Sequence, residues 1–265
     1  MSLSFAPVER IAGADDAGLL VLVDHASNAL PSEYGSLGLP ASELERHIGY
    51  DIGARAVGVG LARHFGAPAL MTTFSRLLID PNRGDDDPTL IMRLSDGAVV
   101  PGNATVDDDE RERRLARFWR PYHAAITHQI DRMMDSGRVP VIFSMHSYTP
   151  IWRGVPRPWH CAVLWDSDAR LPRPLIDGLR ADPLIVCGDN EPYDGALRND
   201  TMFRHGTSRG LAHAIVEVRQ DLIADAAGVD VWVRRLAGVL HVALADPALR
   251  QVQNHGSRTG PVTLG

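Results

Sequence analysis

Short apolar runs recur along this chain, and each gives way abruptly to polar residues. GLLVLVD (18–24) is followed by His25, VPVIFSM (139–145) is followed by His146, and AIVEVRQDL holds Glu217 within an apolar stretch. None of these runs approaches the ~18 residues that a bilayer crossing requires. Their length is that of buried strands, and the longer amphipathic stretches between them fit helices, so the pattern predicts an α/β domain. In open α/β sheets, ligand sites form beyond the carboxyl ends of the strands. The polar clusters HASN, SR, NR, HS and EVR all fall at or just after such ends.

The remaining elements follow from local signals. APALMTTF (67–74), CAVLWD, PLIVC and HAIVEVR read as further strands. Ser42 and Glu45 have capping-box spacing and predict a helix running to about Phe65. Thr105 is the expected cap of a long helix whose first turn carries the acids at 107–110, and Pro121 is expected to kink or divide it. The segment Gly84–Gly102 is rich in Asp, Gly and Pro and reads as an excursion or lid. A last helix is predicted over Val229–Leu244, with a loosely held polar tail from about 247. The whole chain, 1–265, is expected to form one domain.

Charge narrows the partners. With 33 acidic and 27 basic residues the formal charge is −6, which does not favour nucleic acid or an anionic membrane. An anionic substrate must therefore meet a local cluster of arginines. Cys161 and Cys187 sit in apolar runs without CxxC spacing and read as buried thiols in a reducing compartment. The N-terminal stretch MSLSFAPVERIAGADD has no basic region followed by an apolar core, so no signal peptide is expected and a cytoplasmic location is the default expectation.

Several residues stand out chemically. His25 and His146 occupy matching strand-end positions, as two ligands of a catalytic metal would; a single histidine there would more often cap or fill a core. Glu217 inside a strand needs a partner. It pairs with Arg219, faces outward, or serves as a general base beside a metal. Asp51 in GYDIGARAV is either a first-turn helix acid or an anionic metal ligand. Arg76 in FSRLLID, with Asn82 and Arg83 in PNRG, suits carboxylate recognition, because guanidinium forks match carboxylates.

The ordered series DHASN, SRLLIDPNRG, SMHSYTP, GDNEPYDG and IVEVRQDL resembles the N-formylglutamate amidohydrolase family, from about Leu19 to Leu222. That family is similar to the zinc carboxypeptidase and aspartoacylase group, which carries an HxxE pair, an arginine, an NR pair, a second histidine and a late glutamate. The resemblance implies a three-layer α/β/α fold with a mixed sheet, phosphorylase/hydrolase-like. It also implies a small anionic substrate, N-formyl-L-glutamate, and a place in histidine degradation.

By the same resemblance, His25 and His146 hold Zn2+ or another divalent metal, and Glu217 activates water. Arg76 polarises the scissile carbonyl, while Asn82 and Arg83 hold a substrate carboxylate. Tyr193 in GDNEPYDG, with His205 and Arg209 in FRHGTSRG, are further candidates for the substrate pocket. One position departs from the pattern: the HxxE glutamate is Asn28 here. An amide is a poorer metal ligand than a carboxylate, so either Asn28 coordinates weakly or another acid supplies the charge, with Asp51 the candidate. Two alternatives stand beside N-formylglutamate hydrolysis. One is hydrolysis of another N-acyl amino acid or short peptide; the other is a non-catalytic small-anion binding protein on the same fold.

Overall fold

The computed structural model describes residues 5–262. The first four residues of the N-terminal stretch, and the last three of the tail, lie outside them. One seven-stranded sheet runs through the molecule in the order β1-β3-β2-β6-β11-β9-β10. Its members are β1 (Val8–Ile11), β2 (Leu19–Val23), β3 (Ala69–Thr72), β6 (Val141–Tyr148), β9 (Cys161–Leu164), β10 (Cys187–Asp189) and β11 (His213–Arg219). Two small hairpins complete the numbering: β4 (Leu94–Ser95) with β5 (Ala98–Val99), and β7 (Ile151–Trp152) with β8 (Val155–Pro156). The four central strands β3, β2, β6 and β11 are mutually parallel. Strand β1 joins β3 antiparallel, and β9 joins β11 antiparallel, so the sheet is mixed.

Both faces of the sheet are covered, which explains why β2 is apolar at every position. Leu19, Val21 and Val23 point into one core, shared with α2 (Ala54–Phe65), α5 (Pro172–Arg180) and α7 (Ala226–Leu244). Leu20 and Leu22 point into another, filled by Tyr122, Ile126 and Ile130 of α4 (Arg120–Asp135). A third cluster, including Phe74, Leu77, Phe118 and Trp119, anchors the excursion 84–102, which contributes Leu90 and Val100.

The four parallel strands carry HASN, SR, NR, HS and EVR at one common edge. The chain passes from β2 to β3 on one side, then crosses to β6 on the other side of β2. The crevice at that switch lies between the end of β2 and β6, where His25 and His146 stand.

Several elements differ from expectation. The helix expected from Ser42 is broken into a short α1 (Ala41–Leu44), entered at Pro40 with no side-chain cap, and α2, which starts at Ala54. Gly53 between them has φ +80°, and a Cβ there would lie 2.3 Å from the Ile223 carbonyl oxygen, so the helix cannot run through. The long helix is capped by Asp107, whose carboxylate accepts from the Glu110 amide at 2.9 Å, rather than by Thr105. It runs as α3 (Asp108–Arg114), a π-turn (Leu115–Trp119) and then α4, with Pro121 in the first turn of α4 where a missing N–H is tolerated. PLIVC is largely a turn: Asp182 accepts from the amides of Leu184 and Ile185 at 3.0 and 2.9 Å, and pairing begins only at Cys187.

Helix α7 begins three residues earlier than expected, at Ala226, with Asp225 as its cap. The tail is tied to the body. Leu249 is fully buried, Arg250 donates to the Val139 carbonyl at 3.0 Å, and Arg258 pairs with Asp194 at 2.6 Å. Both cysteines are free and buried, opposite one another on β9 and β10. No helix among the described residues is long and apolar enough to cross a membrane.

Candidate active site

At the carboxyl edge of the parallel strands lies a cavity of about 560 Å³. Its floor holds His25, Asp51 and His146, all buried, with ligand-capable atoms within 4.8 Å of one another. His25 follows β2, and His146 sits near the end of β6. Asp51 comes from the break between α1 and α2, where its amide donates to the His25 carbonyl at 2.9 Å. The same break that interrupts the expected helix therefore delivers the acid to the strand edge.

Both histidines are oriented from behind. His25 Nε2 lies 2.7 Å from Asp80 Oδ1, and His146 Nε2 lies 3.0 Å from Asp24 Oδ2. A carboxylate only accepts, so each Nε2 donates to the carboxylate behind it, and each Nδ1 is the nitrogen turned to the cavity floor. Asp51 Oδ2 lies 3.4 Å from His25 Nδ1 and 2.8 Å from His146 Nδ1. Asp24 is itself held by Tyr122, Thr201 and Ser144 hydroxyls at 2.9, 3.0 and 3.0 Å.

This donor set fits a divalent cation. Two imidazole nitrogens and one carboxylate converge, their outer partners are carboxylates, and one side opens on the cavity. The charge agrees. Burial opposes protonation of His146, yet its hydrogen bonds to Asp24 and Asp51 push its pKa up to about 10. Burial likewise opposes ionisation of Asp24, but His146 holds it down at about 2, and Asp51 is lowered further against the same penalty by both histidines. The cluster demands positive charge.

Glu217 stands beside this floor. Its position on β11 is in register with His146 on β6. Its Oε2 is buried and has no hydrogen-bond partner among the described residues. Burial pushes its pKa up to about 7, against the pull of His146, with Asp51 adding to the rise and Arg76 and Arg157 opposing it. The pairing with Arg219 does not form: Arg219 turns to Asp221 at 2.8 Å.

The anion-binding candidates line the same cavity. Arg76 reaches Asp80 at 2.7 Å and Asp51 at 3.5 Å, while its buried Nε has no acceptor. Asn82 and Arg83 follow on the loop after β3, and Arg83 has no ion pair among the described residues. Tyr193 lines the rim and accepts from Arg157 at 2.6 Å. Three candidates do not reach the cavity. Asn28 turns its amide to the Leu44 carbonyl and Glu45, each 3.1 Å away. Arg209 pairs with Asp131 at 2.5 Å. His205 is buried against His123, ring nitrogens 2.9 Å apart.

Sequence reasoning missed four residues. Asp24 and Asp80 lie inside the quoted motifs DHASN and SRLLIDPNRG, and their adjacency to His25 and Asn82 was the available signal. Arg157 is buried among the rings of Tyr148, Trp152 and Tyr193, 5.1–5.3 Å from their centroids. His47 lines the cavity with Nε2 3.4 Å from Asp96 of the β4–β5 hairpin. Neither of these last two had a sequence signal.

Fold and site together define a three-layer α/β domain of hydrolase-like architecture, with a carboxylate-backed histidine cluster at its switch point. The chain belongs to the N-formylglutamate amidohydrolase family, whose model matches residues 17–224. It is similar to an N-formylglutamate deformylase from Pseudomonas putida, at 30% identity over 155 residues, 51% of this chain and 54% of that protein. The match thus spans about half the length of that curated relative. Among solved structures, gene product Atu2144 from Agrobacterium tumefaciens superposes with a TM-score of 0.85 at 30% identity, covering 90% of this chain and 95% of that one. An N-formylglutamate amidohydrolase from Ralstonia eutropha superposes at 0.66 with 22% identity, covering 91% of this chain and 98% of that one, and speaks to the fold.

Proposed function

We propose that this protein hydrolyses the amide bond of N-formyl-L-glutamate to L-glutamate and formate, with zinc as its cofactor. The observation that carries this reading is the buried, unpartnered Oε2 of Glu217 on the cavity shared with the His25, Asp51 and His146 cluster. A binding module has no use for such a group, whereas a hydrolase needs a base whose pKa lies near the working pH.

His25, His146 and Asp51 would hold the metal. Zinc in such a site supplies Lewis acidity, acidifying water and polarising a carbonyl. Glu217 accepts a proton from the attacking water and passes it to the departing nitrogen. The water oxygen joins the formyl carbon as the C–N bond breaks, leaving formate and the free amine. The Arg76 guanidinium, whose Nε has no acceptor, stabilises negative charge developing on the carbonyl oxygen. Arg83 takes a substrate carboxylate in a forked pair, with Asn82 beside it and Tyr193 at the rim. The setting we infer is the cytoplasm, in histidine degradation.

The cavity favours a second, related reading. About 560 Å³ with Ile48, Met92 and Leu197 on its walls suits a larger N-acyl amino acid or a short peptide. A panel of N-acyl amino acids, assayed after chelation and again after added zinc, tests both. N-formyl-L-glutamate should be turned over fastest, and only with metal restored. Failure of every substrate on zinc-loaded protein would instead support small-anion binding without catalysis.

A further inference from the structure

Behind the loop that carries Asn82 and Arg83 lies a buried pair of histidines with no place in the reaction above. His205, at the end of α6 (Thr201–His205), sets Nε2 2.9 Å from Nδ1 of His123 on α4. His123 Nε2 in turn lies 3.1 Å from the Pro81 carbonyl oxygen. The ring planes lie 16° from parallel with centroids 5.1 Å apart, so the rings meet edge to edge through this contact. We propose that His205, acting through His123, is a positioning residue that fixes the Pro81–Arg83 segment and so aims Arg83 at the substrate carboxylate.

The donor and acceptor inventory fixes the direction of this chain. The Pro81 carbonyl can only accept, so His123 carries its proton on Nε2. A neutral His123 then has a bare Nδ1, which must accept, and His205 must donate from Nε2. Neutrality is enforced by the surroundings: burial, with Arg204 nearby, pushes His123 down to about 4, and burial with His123 and Arg204 nearby holds His205 well below the ordinary histidine range. The same loop is gripped at further points, and the Thr201 hydroxyl lies 3.3 Å from the Pro81 carbonyl oxygen as well. Trp119 Nε1 donates to the Arg83 carbonyl at 3.0 Å, and the Thr201 amide donates to Asn82 Oδ1 at 3.3 Å. Trp119 also packs against His123 at a tilt of 50°, ring centroids 4.0 Å apart, so these two side chains act on Arg83 and Pro81 together. The loop therefore has its carbonyls held from behind, which leaves the Arg83 guanidinium free toward the cavity.

This inference rests on the reading that Arg83 holds the substrate carboxylate, and one experiment separates the two. Zinc-loaded wild type, Arg83→Ala, His205→Leu, His205→Gln and the double variant Arg83→Ala/His205→Leu are compared. The readouts are kcat and KM for N-formyl-L-glutamate and Kd for L-glutamate by titration calorimetry. His205→Leu removes the donor and should raise KM and Kd roughly tenfold, the scale of one buried hydrogen bond, with kcat nearly unchanged. His205→Gln keeps an N–H at the Nε2 position and should stay within about threefold of wild type on the same scale. On the Arg83→Ala background, His205→Leu should add nothing, because coupled residues are not additive. If Arg83→Ala raises KM but His205→Leu does not, or if the two effects add in full, the relay is refuted while the anion site stands. If Arg83→Ala alone changes neither KM nor Kd, the anion site itself is wrong and the relay falls with it. Should His205→Leu fail to fold, His205→Asn, too short to reach His123, takes its place with the same expected rise.

Discussion

His146 places Nε2 3.0 Å from Asp24 and Nδ1 2.8 Å from Asp51, so one ring connects a buried structural carboxylate to the cavity floor. His25 repeats the relation with Asp80 behind it at 2.7 Å. Such outer carboxylates fix the tautomer and raise the basicity of the ligand nitrogen. Asp24→Asn and Asp80→Asn should each weaken zinc binding by about 10–100-fold. Chelator competition on the purified variants measures it; wild-type affinity in both would remove these carboxylates from the metal's environment.

Asp51 should supply the anionic ligand, and Asn28 should not. Asp51 stands between the two Nδ1 atoms, while the Asn28 amide is engaged with Leu44 and Glu45. Asp51→Asn should therefore lower zinc occupancy far more than Asn28→Ala. The opposite ranking by metal analysis after dialysis would return the role to Asn28.

Much of this arrangement could be read from the sequence. Strand-end positions placed His25, His146 and Glu217 at one edge, because four parallel strands share a direction and short apolar runs mark where they stop. What escaped was set by contacts distant in the chain. The break before α2 depends on Gly53 meeting Ile223, so local helix signals at Ser42 pointed past it. Arg157 packs among three rings of the cavity lining, Tyr148 and Trp152 from nearby in the chain and Tyr193 from a distant segment, which no spacing encodes. His205 was legible as a polar residue before the glutamate strand, but its burial against His123 depends on how α4 crosses the sheet.

The two arginines should separate kinetically. Arg83 lines the cavity without an ion pair among the described residues, so Arg83→Ala should chiefly raise KM. Arg76 stands against Asp51 and Asp80, so Arg76→Ala should lower kcat as well, since oxyanion stabilisation is felt mainly in the transition state. Steady-state kinetics on both variants would contradict this assignment if neither parameter moved.

The buried His123 should make the fold acid-sensitive. Its folded pKa, about 4, lies below the ordinary 6.5, so the unfolded chain binds more protons as pH falls. This contribution is fully present above about 6.5 and is lost as pH falls toward about 4, on the order of 3 kcal/mol in all. Denaturant melts of wild type and His123→Gln between those pH values isolate it, because the other titrating groups, Glu217 included, are common to both proteins. Wild type should lose stability more steeply than the variant; parallel curves would mean that His123 is protonated in the fold.

The proposed hydrolysis depends on Glu217. Its carboxylate is buried, has an unpartnered oxygen, and lies in register with His146, and the ion pair with Arg219 that would make it structural is absent. Glu217→Gln keeps the shape and removes the basicity. Zinc content, melting temperature and kcat on that variant are the decisive set. The prediction is full zinc occupancy, a melting temperature near wild type, and kcat lowered by about 10²–10⁴-fold, the usual contribution of a positioned base. A variant that loses stability yet keeps most of its activity would contradict it.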